Sequence, residues 1–208
     1  METKRKYTDE PGVDKGAIHL MINRRCGYSC PLCCNRQYDL ETVPVATVEE
    51  LKAAHTVMLT GGDPFYVESL MDILAQLRYD YHNIEYVYIY TSGFPMLENV
   101  DILRYSEQFF SGVNGINFSP KSISDYAAIR EMLSNPQYIF QCFAYLRNNR
   151  IILMPNDFMT REQQEEYIKS LSLEGLAFYG AKFDVEYREW QEEFQPNGGV
   201  WRRLPVFL

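Results

Sequence analysis

Short apolar runs that alternate with amphipathic segments constrain the fold of this chain more than any other feature of its sequence. The predicted strands are 17–23, 56–60, 86–91, 115–119, 150–154 and a weaker sixth at 176–183. The predicted helices are 47–55, 66–78, 97–110, 124–134, a segment ending at 146, and 160–171. Such alternation favours parallel strands joined by right-handed crossovers. We therefore expect an α/β sheet that either stays open or curls into a partial barrel.

Polar residues mark where several of the predicted helices begin. Thr47 is followed three residues later by Glu50, which is a capping-box signature. Ser124 and Thr160 stand at the expected N-caps of two later helices. Asn135 and Pro136 separate the helix at 124–134 from the one that follows it. The chain is thus divided into short elements with defined ends.

The size and charge of the chain exclude several classes of function. A length of 208 residues, with 46% hydrophobic and 23% charged residues, suits one folded globular domain. The formal net charge of −8 argues against a nucleic-acid partner, because phosphate binding relies on clustered Lys and Arg. No stretch approaches the ~20 apolar residues that a membrane-spanning helix requires. We expect a cytoplasmic protein with neither a nucleic-acid nor a membrane partner.

Four of the five cysteines lie within nine positions, which indicates metal or redox chemistry. Cys26, Cys30 and Cys33 follow the Cys-x3-Cys-x2-Cys spacing in the loop after the first predicted strand. Ligands gather at the carboxyl ends of parallel strands, so this loop is well placed for chemistry. Three such thiolates can hold one face of a cubane iron-sulfur cluster and leave one iron open. A structural zinc site is the main alternative for the same residues.

The other cysteines and the histidines are interpreted as structural. Cys34 is adjacent to Cys33 and would be strained as a joint ligand, so it is expected to pack against the cluster or tune it. Cys142 lies in an apolar helical segment and is interpreted as a small core residue. The three scattered histidines are expected to be structural or at the surface: His19, His55 and His82.

The cysteine spacing resembles that of the radical S-adenosylmethionine (radical SAM) superfamily. The resemblance extends to 61–64, where Gly-Gly-Asp-Pro is similar to the Gly-Gly-Glu-Pro motif of that family, with Asp in place of Glu. It implies a partial (β/α)6 TIM-like barrel. It also implies an N-terminal extension at 1–16, a radical SAM core domain at 17–183 and a C-terminal tail at 184–208.

The resemblance implies a [4Fe-4S] cluster on Cys26, Cys30 and Cys33, with S-adenosylmethionine chelated by the fourth iron. Reductive cleavage of S-adenosylmethionine would give a 5'-deoxyadenosyl radical, which takes hydrogen from the substrate. The implied cofactor-binding residues are Leu32, Gly61, Gly62, Asp63, Thr91, Ser92, Ser119 and Lys121. Ser119 and Lys121 are candidates for the ribose and carboxylate contacts. No catalytic side chain is assigned.

The substrate is left open among several alternatives. The expected partners are a small-molecule or peptide substrate and a reductant such as flavodoxin or ferredoxin. Residues 30–35, together with 61–64, resemble the glycyl-radical activating enzymes, which act on a partner protein. Residues 119–121 are similar to a motif of 7-carboxy-7-deazaguanine synthases. The alternative of a different class is a non-catalytic iron-sulfur or zinc binding module.

Overall fold

The computed structural model describes residues 4–30, 32–99, 101, 104–193, 196 and 198–204. Within them the strands are β1 (Ala17–Asn23), β2 (Thr56–Gly61), β3 (Tyr86–Thr91), β4 (Gly115–Phe118), β5 (Asn148–Leu153), β6 (Lys182–Tyr187) and β7 (Val200–Arg203). The helices are α1 (Cys34–Gln37), α2 (Val48–Ala53), α3 (Leu70–Asp80), α4 (Phe94–Glu98), α5 (Ser106–Phe110), α6 (Ile123–Ser134), α7 (Pro136–Tyr138), α8 (Arg161–Ser170) and α9 (Leu173–Leu176). The chain forms two compact units, Met1–Tyr88 with Gln191–Leu208, and Ile89–Trp190.

The first unit is built around β1, whose seven residues are all buried. In this unit the strand order is β3-β2-β1-β7, and β1 pairs in parallel with both β2 and β7. A strand with a neighbour on each side and both faces covered needs a continuous apolar run, which Ala17–Asn23 provides. The register with β2 shifts between Met21 and Asn23, so that Asn23 lies opposite Gly61. Such an irregularity at a strand end changes the direction in which the following side chains point.

An aromatic cluster of the first unit joins both ends of the chain to the helix after the cysteines. The rings of Tyr7, Tyr38 and Trp201 meet edge to face, with centroids 5.3 to 5.8 Å apart. The hydroxyl of Tyr7 accepts a hydrogen bond from the backbone N–H of Trp201 at 3.0 Å. Cys34, the first residue of α1, packs against this cluster. The start of α1 is therefore fixed by core packing.

Arg202 on β7 forms a nearly buried ion-pair network, with its side chain 5% exposed. Its two terminal nitrogens donate to the two carboxylate oxygens of Asp9 at 2.8 Å each, and its Nε donates to Glu50 at 2.7 Å. The hydrogen bond from Arg202 lowers the pKa of Asp9 below its ordinary value of 3.8, against the opposing effect of burial. The network ties β7 to the N-terminal segment and to α2.

The second unit has the strand order β6-β5-β4-β3, and β5 pairs in parallel with β4 and β6. Two of its described helices begin at capping boxes, which Ser122 and Asp125 form at α6 and Thr160 and Gln163 form at α8. The core is formed by fully buried apolar side chains, among them Ile116, Phe118, Ile129, Phe143, Ile151 and Leu153. These residues alternate along the strands with polar ones, which leaves the other face of β4 and β5 polar.

The predicted α/β class is confirmed, and the seven described strands with their parallel pairing agree with a partial TIM-like barrel. One strand prediction needs correction. The strand expected at 176–183 begins only at Lys182, because the apolar residues before it form α9 and a 3-10 turn that leaves Phe178 90% exposed. The segment predicted as the C-terminal tail, 184–208, includes the end of β6 and all of β7. The predicted domain boundaries remain predictions.

Three helix predictions also need correction. The helix expected at 66–78 begins at Leu70, because the Asp63 side chain caps a separate 3-10 turn at Pro64–Tyr66. The helix expected at 97–110 is not continuous over its described residues, since α4 starts at Phe94 with a proline in its first turn and ends at Glu98, while α5 begins at Ser106. Ser122, rather than Ser124, caps α6. Among the described residues, no helix is long and apolar enough to cross a membrane.

We predict that Arg202→Ala lowers the free energy of unfolding by about 3 kcal/mol, because two carboxylates lose their shared, nearly buried cation. Urea denaturation measures the change. Because the folded-state pKa of Asp9 lies below 3.8, this stabilisation should be present above about pH 4 and be lost as the pH falls through the folded value. The control is Arg104→Ala, which removes an exposed pair with Asp101 and should cost under about 1 kcal/mol. Equal losses in both variants would contradict this account.

Candidate functional site

The loop between β1 and α1 carries Cys26, Cys30 and Cys33. Cys26 is exposed, and the other two are partly buried. The loop backbone is restrained by α1, because the Arg36 guanidinium donates to the carbonyls of Ser29 at 3.4 Å and Cys30 at 3.5 Å. All three thiols therefore lie on one short segment that a helix holds in place.

Cys26 lies within electrostatic range of the other loop cysteines and of Asp63. Although the residue as a whole is exposed, partial desolvation of its sulfur raises the pKa of the Cys26 thiol, and the hydrogen bond from the backbone N–H of Tyr28 opposes this effect. The negative charges of Asp63, Cys30 and Cys33 raise that pKa further. The loop thiols thus share one electrostatic environment with the carboxylate after β2.

Cys34 differs from the other three loop cysteines. Its hydrogen bond with Cys33, followed by burial, raises the pKa of its thiol well above the ordinary value. Its Sγ also donates to Oδ1 of Asn35 at 3.5 Å. A thiol in this setting stays protonated and packs as a small apolar side chain. These contacts support the expectation that Cys34 is a neighbour of the cluster rather than a ligand.

The donor set fits an iron-sulfur cluster. Three soft thiolate donors at Cys-x3-Cys-x2-Cys spacing lie on one restrained loop, and thiolates are the ligands that such clusters use. Among the residues that the structure describes, no three His, Cys, Asp or Glu side chains converge as ligands of a single metal ion. In a cubane each thiolate binds a different iron, so its cysteines need not converge on one point.

Asn23, at the end of β1, holds the glycine turn that follows β2. Its side chain is buried, at 3% exposure. Its Oδ1 and its backbone carbonyl both accept from the N–H of Gly62 at 2.9 Å, and its Nδ2 donates to the carbonyl of Asp63 at 2.8 Å. One side chain therefore satisfies polar groups on two residues of the turn and connects the turn to the segment that leads into the cysteines.

The requirement for glycine at 61 and 62 comes from close backbone packing. Gly61 has a φ of +120°, and a Cβ there would lie 2.3 Å from the carbonyl oxygen of Asn23. A Cβ on Gly62 would lie 1.9 Å from the carbonyl oxygen of Arg25. The structure shows that these two glycines let the backbone before Cys26 approach, and their contact with the cofactor stays a prediction.

Two further residues complete the turn. Asn35 on α1 donates its side-chain amide to the carbonyl of Gly61 at 2.8 Å, so the helix after the cysteines also contacts the turn. Asp63 is buried, and its carboxylate accepts from the N–H of Phe65 at 3.2 Å as the cap of the 3-10 turn. Leu32 is partly buried, and its carbonyl accepts from the Gln37 amide at 3.0 Å. The predicted residues of the first unit thus lie on two connected segments.

Sequence reasoning missed Asn23 and Asn35. A polar residue at the end of an apolar strand is a weak sequence signal for a functional role, and Asn23 is such a residue. Asn35 gave none, because its partner Gly61 lies 26 residues away. The structure shows that these two amides join the cysteine loop to the glycine turn.

The second unit contains the other four predicted cofactor residues. The carbonyl of Thr91 accepts from the N–H of Ser119 at 2.7 Å, which joins the ends of β3 and β4. The ammonium of Lys121 donates to the hydroxyl of Ser119 at 2.7 Å and lies 5.0 Å from the centre of the Trp190 ring. Thr91 and Ser92 are buried. The strand ends of this unit thus carry a hydroxyl and a cation side by side.

A cavity of about 780 Å³ in the first unit lies against α2 and α3. Its lining is largely apolar, with Leu51 and Leu77 as examples, and includes Asn23 and Arg25. Among the described residues that line it, none is a predicted cluster or cofactor residue. The cavity is therefore not lined by the thiols, and it adjoins the site through Asn23, Arg25 and Tyr66.

Comparison with known proteins identifies the family. The model of the Radical SAM superfamily matches residues 20–173, which is well over half of the chain. The chain belongs to the radical SAM superfamily. It is also 31% identical over 80 residues to GTP 3',8-cyclase of Synechococcus sp. (strain CC9902), a match that covers 35% of this chain and 23% of that protein. The chain thus spans about a quarter of the length of this relative.

Membership of the radical SAM superfamily supports chemistry that cleaves S-adenosylmethionine, with a four-iron cluster. The residues that would hold the cluster are Cys26, Cys30 and Cys33, and the structure places them beside the Gly61–Asp63 turn through Asn23 and Asn35. The individual ligand and cofactor assignments remain predictions.

We predict that Gly62→Ala destabilises the protein by about 1 to 3 kcal/mol, because its Cβ would overlap a backbone carbonyl that cannot move away without disturbing the cysteine loop. The matched control is Gly175→Ala in α9, where nothing lies within 4 Å of the added Cβ and a gain of about 0.5 to 1 kcal/mol is expected. Urea denaturation under anaerobic conditions measures both. A Gly62→Ala variant as stable as the wild type would show that the close contact with Arg25 is wrong.

Proposed function

We propose that this protein is a radical SAM enzyme that binds a [4Fe-4S] cluster through Cys26, Cys30 and Cys33 and abstracts hydrogen from a small-molecule or peptide substrate. The observation that carries the proposal is the connection of the three-thiol loop with the Gly61–Asp63 turn by Asn23 and Asn35. When bound, the cluster and S-adenosylmethionine supply a 5'-deoxyadenosyl radical by reductive cleavage.

The residues of the first unit hold and orient these groups. The Arg36 guanidinium donates to the carbonyls of Ser29 and Cys30, which restrains the backbone around the second thiol. The carbonyl of Gly61 accepts from Asn35 but keeps a second lone pair, because a carbonyl has two. That lone pair suits the methionyl ammonium of the cofactor. Leu32 offers an apolar contact for the adenine.

The residues of the second unit are proposed to bind the polar parts of S-adenosylmethionine. The Lys121 ammonium would form a charge-assisted hydrogen bond with the methionyl carboxylate. Its position above Trp190 and against Ser119 limits its rotamers, which reduces the entropy lost on binding. Ser119 would contact the ribose, while Thr91 and Ser92 shape the turn beside it.

A small-molecule substrate is favoured over a protein substrate. The relative GTP 3',8-cyclase is named for a nucleotide substrate, and this likeness supports a small molecule here. A glycyl-radical activating enzyme and a 7-carboxy-7-deazaguanine-synthase-like enzyme remain the alternatives within the family. A flavodoxin or ferredoxin is the proposed reductant. A non-catalytic iron-sulfur or zinc module is the alternative of a different class.

We predict that Cys26→Ala, Cys30→Ala and Cys33→Ala each abolish formation of 5'-deoxyadenosine, because each removes one of three thiolate ligands. The measurement is chromatography of 5'-deoxyadenosine after anaerobic reconstitution with iron and sulfide and reduction by dithionite. Iron and sulfide content is determined on the same samples. Cys142→Ala is the control, since this buried thiol lies in the core of the second unit.

Equal loss in all four variants would overturn the ligand assignment. A protein that retains zinc, takes up no four-iron cluster and forms no 5'-deoxyadenosine would support the binding module instead. Cys34→Ala should keep its cluster, because Cys34 is held as a protonated thiol against the aromatic cluster. Loss of iron in Cys34→Ala that matches the loss in Cys33→Ala would make Cys34 a ligand.

A further inference from the structure

A polar network crosses the face of β4, β5 and β6 in the second unit. Arg150 on β5 donates from Nε to Oδ1 of Asn117 on β4 at 3.1 Å and from Nη1 to Oε1 of Glu186 on β6 at 3.1 Å. The other carboxylate oxygen of Glu186 accepts from Nε of Arg188 at 2.9 Å and also from its Nη2. One carboxylate therefore bridges two guanidinium groups, and an amide extends the network.

Strand register explains why these side chains meet. Asn117 lies opposite Arg150, and Ile152, two residues after Arg150, lies opposite Glu186. Paired residues and residues two apart share a face of a parallel sheet, so all three polar side chains project from one face. The fully buried apolar residues Ile116, Phe118 and Ile151 occupy the opposite face. The network is thus built into the strand pattern.

Asn117 is fully buried, yet its Nδ2 has no hydrogen-bond partner within the part of the chain that the structure describes. The orientation of the amide is fixed, because Arg150 donates to it and only its oxygen can accept. A buried donor without an acceptor costs about 1 to 3 kcal/mol. This amide therefore presents an unused N–H next to a guanidinium.

The network has one more positive than negative charge. Arg150 and Arg188 contribute two cations, and Glu186 contributes one anion. Burial acts to raise the pKa of Glu186, but the hydrogen bonds from Arg188 and Arg150 outweigh it and hold the pKa below its ordinary value. On the same face, Asp184 is exposed and already pairs with Lys182 at 3.5 Å. Glu186 thus forms ion pairs with both guanidinium groups, and its one negative charge faces their two positive charges.

Both guanidinium groups remain accessible, since the side chains of Arg150 and Arg188 are each 30% exposed. The five N–H donors of a guanidinium are arranged to bind two oxygens of one group. Nη1 of Arg188 has no hydrogen bond to any residue that the structure describes. An accessible cation, an unused amide donor and an excess positive charge are the features of an oxyanion site.

We propose that Asn117, Arg150 and Arg188 bind an oxyanion group, a carboxylate or a phosphate, of the substrate. The Asn117 amide donates one hydrogen bond, and the guanidinium groups supply the charge and further donors. Glu186 fixes the two guanidinium groups and prevents binding of a second anion. The inference rests on the proposed function only in assigning the oxyanion to a substrate, because the site itself stands on contacts of the second unit.

The test measures equilibrium binding of inorganic phosphate and of acetate to the anaerobically reconstituted protein by titration calorimetry, with ionic strength held constant. We expect saturable binding of one or both anions in the millimolar range. Asn117→Asp should weaken it at least about tenfold, because the new carboxylate repels an anion. The same variant keeps an acceptor for Arg150 and should remain folded. Arg188→Gln should also weaken binding about tenfold.

The matched control is Lys182→Gln, which removes an exposed cation of the same strand and should change binding less than about twofold. A preference for phosphate or for acetate identifies which oxyanion the substrate carries. Absence of saturable binding, or equal weakening in Lys182→Gln, overturns the proposal. Displacement of the bound anion by S-adenosylmethionine also overturns it, since the site would then hold the cofactor's carboxylate.

The outcomes for this site and for the proposed function are distinguishable. If the protein forms 5'-deoxyadenosine but binds neither anion, only the oxyanion site is wrong. If it binds an anion that Asn117→Asp abolishes but never cleaves S-adenosylmethionine, the oxyanion site stands and the proposed function is wrong.

Discussion

The hydrogen bonds of Asn23 are the interaction on which the candidate site depends. A loop that carries three cysteines has little structure of its own, because it lacks both a ladder and a helix to satisfy its backbone. Asn23 anchors its first end by using one buried amide for Gly62 and Asp63 at once. Asn35 anchors its other end to Gly61. The two motifs that identify the family in the sequence are thereby held together by two residues outside both motifs.

The burial of β1 explains why the first unit includes β7. The strand β1 must be buried on both sides for its continuous apolar sequence to be stable, and β2 covers only one edge. The strand β7 covers the other edge, with Ile18 opposite Val200. Its Trp201 then completes the aromatic cluster against which Cys34 packs. A segment near the end of the sequence therefore supports the helix that follows the cysteines.

Much of this arrangement is predictable from the sequence, and the exceptions have physical causes. The strands β1 and β3 match the predicted ranges because apolar and aromatic residues dominate both, with His19 as a buried polar residue inside β1. The strand β7 escapes prediction because it has four residues and ends in two arginines, so only its pairing with β1 makes it a strand. The strand expected at 176–183 is wrong because the exposed Phe178 looks like a core residue in the sequence. Local composition cannot show which apolar side chains of a helical segment are exposed to solvent.

The candidate site likewise has features that the local sequence predicts and contacts that only the fold creates. Cysteine spacing and the glycine pair are local patterns, and the structure connects these two segments within the first unit. The partners of Asn23, Asn35 and Arg150 lie 26 to 40 residues away, so their roles depend on strand register. From the sequence alone, Arg150 is interpreted as the polar first residue of an apolar strand. Only when Asn117 and Glu186 are brought to the same face does the charge become part of a network. A folded protein keeps partly buried charges and an unsatisfied amide at a cost in stability, and such exceptions to local preference are expected where a ligand compensates for them.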